Sequence, residues 1–212
     1  LLAVVWLFRA RFVSLLRPPA RPGAFGGLRG IGLLALVSAP VCLVGFLARK
    51  GIHELHTPAW VASALVVGGI ALLALERTRG DRGTRLVDEL TPALAFGVGL
   101  FQCLALWPGV SRSAATIVGG MLLGLTRRAA AELSFLAAVP VLLLATAYEL
   151  AKDRHILEGS NLTFLAVGFV TSAVAAVLAV KAFIAFLQRS TMVPYAWYRI
   201  ALGLAVAALL LR

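Results

Sequence analysis

The sequence predicts an all-α, polytopic transmembrane bundle, and three observations carry that prediction. Of 212 residues, 61% are hydrophobic and only 14% are charged, whereas soluble domains run at about 45–50% and about 25%. The mean hydropathy is +0.95, an apolar excess that one water-soluble core of this length cannot hide. The apolar residues fall in runs near the length a helix needs to cross hydrocarbon, and none alternates with the period of a barrel strand. A soluble enzyme, a disordered tail and a nucleic-acid-binding domain are excluded. Residues 1–212 read as a single integral membrane domain.

Along the chain, Leu1–Phe8 is apolar but followed, not preceded, by its arginines, Arg9 and Arg11, so it is not a signal peptide. At eight residues it is too short to span, and it reads as the tail of a helix that begins upstream in a truncated chain. Arg9–Arg29 reads as an Arg-rich loop. Spans are expected at Gly30–Leu47, closed by Arg49 and Lys50, and at Trp60–Leu75, ended by Glu76 and Arg77. Further spans are expected at Leu133–Leu150, Leu162–Leu187 and Trp197–Leu211.

The stretch from Thr91 to Thr126 breaks this pattern. Pro92–Trp107 is apolar, Pro108-Gly109-Val110-Ser111-Arg112-Ser113 interrupts it, and Ala114–Leu125 resumes. Twelve helical residues rise only about 18 Å, too little to cross. Two half-helices in a re-entrant hairpin fit better, over about residues 91–126. Non-helical backbone at that depth is confined to protein interiors or wet cavities.

The basic residues support the hairpin. Lys plus Arg number 20 against 9 Asp plus Glu, and in a membrane chain such an excess points to cytoplasmic loops facing anionic lipid. With a hairpin, only Arg49, Lys50, Lys152, Arg154 and Arg212 face away from an Arg-rich side. A single crossing at the same place shares the charges more evenly. The positive-inside rule therefore prefers the hairpin, with the Arg-rich side cytoplasmic.

The chemistry concentrates at the interruption. A guanidinium at mid-membrane costs at least about 2.5–3.5 kcal/mol and needs an anion or a wet cavity. Around Arg112 lie the hydroxyls of Ser111, Ser113 and Thr116, while Gly109 permits close backbone approach. A guanidinium fork, hydroxyl donors and a helix N-terminus form a phosphate-binding set. A plain Pro-Gly turn with a capping serine is the simpler alternative, but it leaves the arginine unexplained. Gln102 either faces the cavity or hydrogen-bonds a neighbouring helix.

Other polar residues read as structural. His53-x-x-His56 and His155 lie in loops without a metal-ligand set. Glu132 suits a helix N-terminus and is expected to pair with Arg127 or Arg128. Gly68-Gly69 and Gly119-Gly120 mark close helix packing. Cys42 and Cys103 lie in apolar runs and read as small buried hydrophobes.

Pro108-Gly-Val-Ser-Arg-Ser113-Ala-Ala-Thr116 matches the PGxSRSxxT motif, and the chain here resembles the undecaprenyl pyrophosphate phosphatases of the bacitracin-resistance family. The likeness continues through Gly119-Gly-Met-Leu-Leu-Gly-Leu-Thr-Arg127 and Glu132-Leu-Ser-Phe135 to Pro140. The resemblance implies an inverted-repeat bundle in the bacterial inner membrane. It also implies removal of the terminal phosphate of a polyprenyl pyrophosphate lipid. Arg112, Ser111 and Thr116 would be catalytic, and Gly109, Ser113 and Gln102 would bind substrate. A divalent cation, Mg or Ca, is implied as cofactor, and a homodimer is compatible with the resemblance. The family's first hairpin, an (E/Q)xxxE pair with a serine-rich loop and a His, has no match in the chain, so the metal ligands are expected to be missing from it. A transporter or flippase for an anionic polyprenyl phosphate lipid is the alternative, because broken helices also build transport sites. Type-2 phosphatidic acid phosphatases need a His and an Asp downstream of their Ser-Arg, and none follows Ser111-Arg112 at short range, while rhomboid proteases use GxSG with a membrane His, a pattern that Gly109-Val-Ser-Arg112 breaks.

Overall fold

The computed structural model describes residues 1–18, 23–54, 57–152, 161–189 and 191–210. The helices, in order, are α1 (Leu2–Leu7), α2 (Arg9–Leu15), α3 (Gly27–Leu47), α4 (Arg49–Glu54) and α5 (Pro58–Thr78), then α6 (Pro92–Gln102) and α7 (Arg112–Leu122), and finally α8 (Arg127–Lys152), α9 (Asn161–Arg189) and α10 (Val193–Leu210). Five of them, α3, α5, α8, α9 and α10, are long and apolar enough to cross a membrane. Among the described residues there is no β-strand, only an isolated bridge between Arg85 and Leu125. The chain is an all-α polytopic bundle.

Local chemistry sets where these helices start. Pro58 and Pro92 open α5 and α6 at positions that lack an intrahelical donor partner in any case. Thr91 caps α6, its hydroxyl accepting the Leu94 N–H at 3.3 Å. Of the boundaries that differ from the sequence reading, three stand out. Part of the Arg9–Arg29 loop is helical, as α2. Helix α8 begins six residues before Leu133, because Thr126 Oγ1 accepts the Ala129 N–H and caps it there. Helix α7 begins at Arg112 itself, ahead of Ala114.

Packing fixes the directions. α3 and α6 run parallel, so close that a Cβ on Gly99 would sit 2.7 Å from the Val37 carbonyl oxygen. α5 and α10 run antiparallel, with Gly69 against Ala196 and Gly203 against Ala62. α6 and α7 form an antiparallel hairpin, in which Gly119 faces Phe101 and Gly97 faces Leu123. Each of these two helices has 11 residues, a rise of about 16 Å. The core beneath them is apolar, built on Leu33, Val37, Val98, Ile117, Leu133 and Leu136, each at most 2% exposed.

Both ends of the hairpin lie at one end of the bundle. Arg29 Nη2, at the start of α3, donates to the Leu90 carbonyl at 2.8 Å just before α6. Glu76, near the end of α5, accepts from Arg127 Nη2 at 2.9 Å and from the Met192 N–H at 2.7 Å. One carboxylate thereby ties the end of α5 to the starts of α8 and α10. Asp81 adds a bond from the Arg127 N–H at 2.7 Å.

The structure corrects the expected pairing of Glu132. Its carboxylate accepts from Arg11 Nε at 2.5 Å, while Arg127 turns to Glu76. Asp88 also accepts from Arg11, at 2.9 Å. Burial lowers the Arg11 pKa, and the bonds and charges of Glu132 and Asp88 outweigh it, leaving the pKa above the ordinary arginine value. A raised pKa on a cation contributes stability that is present below the unfolded value, so the share of this clasp that comes from Arg11's own charge is lost only in strong alkali.

Candidate active site at the broken hairpin

After α6 the chain makes a 3-10 turn over Cys103–Leu106, passes through Trp107–Val110, and re-enters helix at Arg112. Gly109 has φ +94°, and a Cβ there would lie 2.8 Å from the Val61 carbonyl oxygen. Only glycine meets both conditions. Gly109→Ala is expected to destabilise the fold by about 1–3 kcal/mol, measurable as a lower thermal midpoint of the solubilised protein.

Ser111 caps α7, its Oγ accepting the Ala114 N–H at 3.3 Å. That leaves the Ser111 hydroxyl hydrogen, and the first N–H groups of α7, aimed away from the helix body. Arg112 is half-buried, with Nη1 3.5 Å from the Ser134 carbonyl on α8. Among the described residues no carboxylate pairs with it. The Ser134 hydroxyl beside it is buried without a partner.

Two other candidates are turned inward. Thr116 is fully buried and donates to the Arg112 carbonyl at 2.8 Å, bracing the first turn of α7. Gln102 is fully buried as well, and its Nε2 donates to the Val37 carbonyl at 2.8 Å, bolting the end of α6 to α3. The structure thus places Ser111, Arg112 and Ser113 together at the mouth of α7, with Thr116 and Gln102 supporting them from behind. His56 and His155 lie outside the described residues, and His53 is described only in its backbone.

Sequence reasoning missed Arg199, which sits inside an apolar run on α10. It is 4% exposed. Its Nη2 donates to the Gly109 carbonyl at 2.9 Å and to the Ala64 carbonyl at 3.3 Å, and its Nη1 lies 3.5 Å from the Tyr195 hydroxyl. Room for the guanidinium comes from Gly68, where a Cβ would lie 2.8 Å from Nη2. A membrane arginine is costly unless it serves a site, and here a second guanidinium grips the loop that carries the first. The cost of an isolated cation in an apolar helix was the signal available to find it.

Ser111 borders two apolar hollows. One, of about 370 Å³, lies between α7, α8 and α9 and is also lined by Ser113, Phe135 and Tyr195. The other, of about 500 Å³, runs between α5 and α7 and is also lined by Arg199 and Trp107. Among the described residues no three His, Cys, Asp or Glu side chains come together. Hydroxyls, carbonyls and guanidiniums surround the loop. That donor set fits an anion and does not fit a divalent cation, which takes carboxylates.

The family described as bacitracin resistance protein BacA matches residues 1–205. A protein of Solidesulfovibrio magneticus named undecaprenyl-diphosphatase is 49% identical over 207 residues, 97% of this chain and 78% of its own length. Proteins of the same name from Nitratidesulfovibrio vulgaris and Lawsonia intracellularis are 52% and 43% identical. The alignment covers 96% of this chain and 77% of the first, and 97% of this chain and 78% of the second. With a loop of this geometry and likeness along nearly its whole length, the chain belongs to the bacitracin resistance protein BacA family.

Proposed function

We propose that the protein hydrolyses the terminal phosphate of undecaprenyl pyrophosphate, in the bacterial inner membrane, to recycle the lipid carrier used in cell-wall synthesis. The observation that carries this reading is the mouth of α7, where a carboxylate-free guanidinium, a free serine hydroxyl and an N-terminal dipole converge between two half-length helices. The name shared by relatives about 50% identical favours hydrolysis over flux.

In this reading α6 and α7 enter and leave the membrane on one side. The support is that their outer ends are tied to the starts of α3 and α8, at the arginine-rich end. The terminal phosphoryl group lies over the α7 N-terminus. Arg112 and the first N–H groups of α7 neutralise charge on its equatorial oxygens as water attacks phosphorus. The bridging P–O bond breaks, giving inorganic phosphate and the lipid monophosphate. Ser111 donates to a phosphoryl oxygen. Arg199 holds the Gly109 carbonyl and so the depth of the loop. Among the described residues no group of three or more His, Cys, Asp or Glu stands ready for a divalent cation, and no step here is routed through one. A homodimer belongs to the same reading, supported by α9, whose most apolar 18-residue stretch has no buried residue.

The test is release of inorganic phosphate from undecaprenyl pyrophosphate by the purified protein in detergent. Hydrolysis is expected. Movement of the lipid across vesicles with no phosphate released would overturn the proposal.

A further inference from the structure

The hollow between α5 and α7 is a groove. On α5 it is lined from Ala64 to Thr78, about 21 Å of helix, and on α7 from Ser111 to Leu122, the whole length of that element. Its α5 side sets the small residues Gly68, Ala71 and Ala74 beside Leu72 and Leu75. Val67, Ala71, Ala74 and Leu122 are exposed, so the groove opens sideways along its length. Its walls are apolar until the loop end, where the chemistry changes. There Arg199, nine-tenths buried, carries an Nε without a partner, and the Trp107 Nε1 beside it is also buried and unpaired.

A long apolar trough closed at one end by unpaired donors and a serine has the chemistry of a branched hydrocarbon chain with an oxygen-rich anionic head. We infer that this groove holds the first isoprene units of the substrate's tail, and so sets which chain lengths the site accepts. The inference rests on the proposed hydrolysis and specifies where that lipid lies. The neighbouring hollow fits a chain less well. On α7 it reaches only from Ser111 to Ile117, and the rings of Phe135, Phe183, Phe186 and Tyr195 crowd it.

Moving a tail from bilayer to groove gains no hydrophobic energy, since both are hydrocarbon. What it gains is packing. The groove therefore acts by fit, aligning the head with the α7 mouth, and a side chain that fills it weakens binding without touching the chemistry.

The test uses Ala74→Phe and Ala71→Phe in the full chain, with Ala179→Phe in the other hollow as the comparison. KM for undecaprenyl pyrophosphate is expected to rise about tenfold in the first two. Their kcat should not change, and KM for the two-unit geranyl pyrophosphate should rise less than that for undecaprenyl pyrophosphate. Ala179→Phe should leave all of these values as they were. Ala71→Leu serves if the phenylalanine variants do not elute as a single species. An equal rise for both substrates, no rise for either, or a chain-length effect in Ala179→Phe overturns the groove. Hydrolysis of neither substrate by the unaltered protein instead overturns the reaction on which the groove depends.

Discussion

Replacing Arg112 by Ala is expected to lower kcat/KM for undecaprenyl pyrophosphate by about a hundred- to a thousandfold, the usual cost of deleting one preorganised donor at developing charge. The expectation follows from where the guanidinium stands. It opens α7, adds its charge to the helix dipole, and spends only one long hydrogen bond, to the Ser134 carbonyl, on the protein. Because so little of the fold hangs on that bond, the thermal midpoint of Arg112→Ala should stay close to that of the parent. Arg112→Lys keeps the charge but loses the fork and is expected to recover only part of the rate. Phosphate release measured beside thermal unfolding separates the two effects. An Arg112→Ala protein with full turnover would remove the arginine from the mechanism.

The largest stability effect is expected at Glu76. Its side chain is 5% exposed and that of Arg127 10%, and the other carboxylate oxygen holds the Met192 N–H. Glu76→Ala takes a buried carboxylate away from the Arg127 guanidinium and the Met192 N–H together, a loss of about 3–5 kcal/mol. The consequence should be a thermal midpoint many degrees lower, and phosphate release lost on warming before any change in KM. Arg11→Ala, whose partners Asp88 and Glu132 are partly exposed, should cost far less. Equal midpoints for Glu76→Ala and the parent would show that the three helix ends are held without Glu76.

Much of this arrangement was legible in the residues. Run length and hydropathy gave the five spans, because a bilayer imposes one length on every crossing. Pro108-Gly109 and the short arms beside it marked the hairpin, since broken backbone in hydrocarbon needs a reason. What escaped were partners far apart in sequence. Glu132 has basic residues four and five positions before it, yet its partner lies 121 residues away, because α2 folds back over the start of α8. Gln102 left two readings open, and only the parallel approach of α3 settles which neighbour takes its amide. Arg199 is flanked on both sides by apolar residues, so its run read as plain lipid-facing helix.

Gly68 and Arg199 share one small volume, and the protein can spend it only once. A methyl group at position 68 would land on the guanidinium of Arg199 rather than on any lipid. A change there would therefore present as an arginine defect, from a residue that itself touches no substrate head. Across relatives, the two positions should drift as a pair: bulk gained at one is tolerable only where reach is given up at the other.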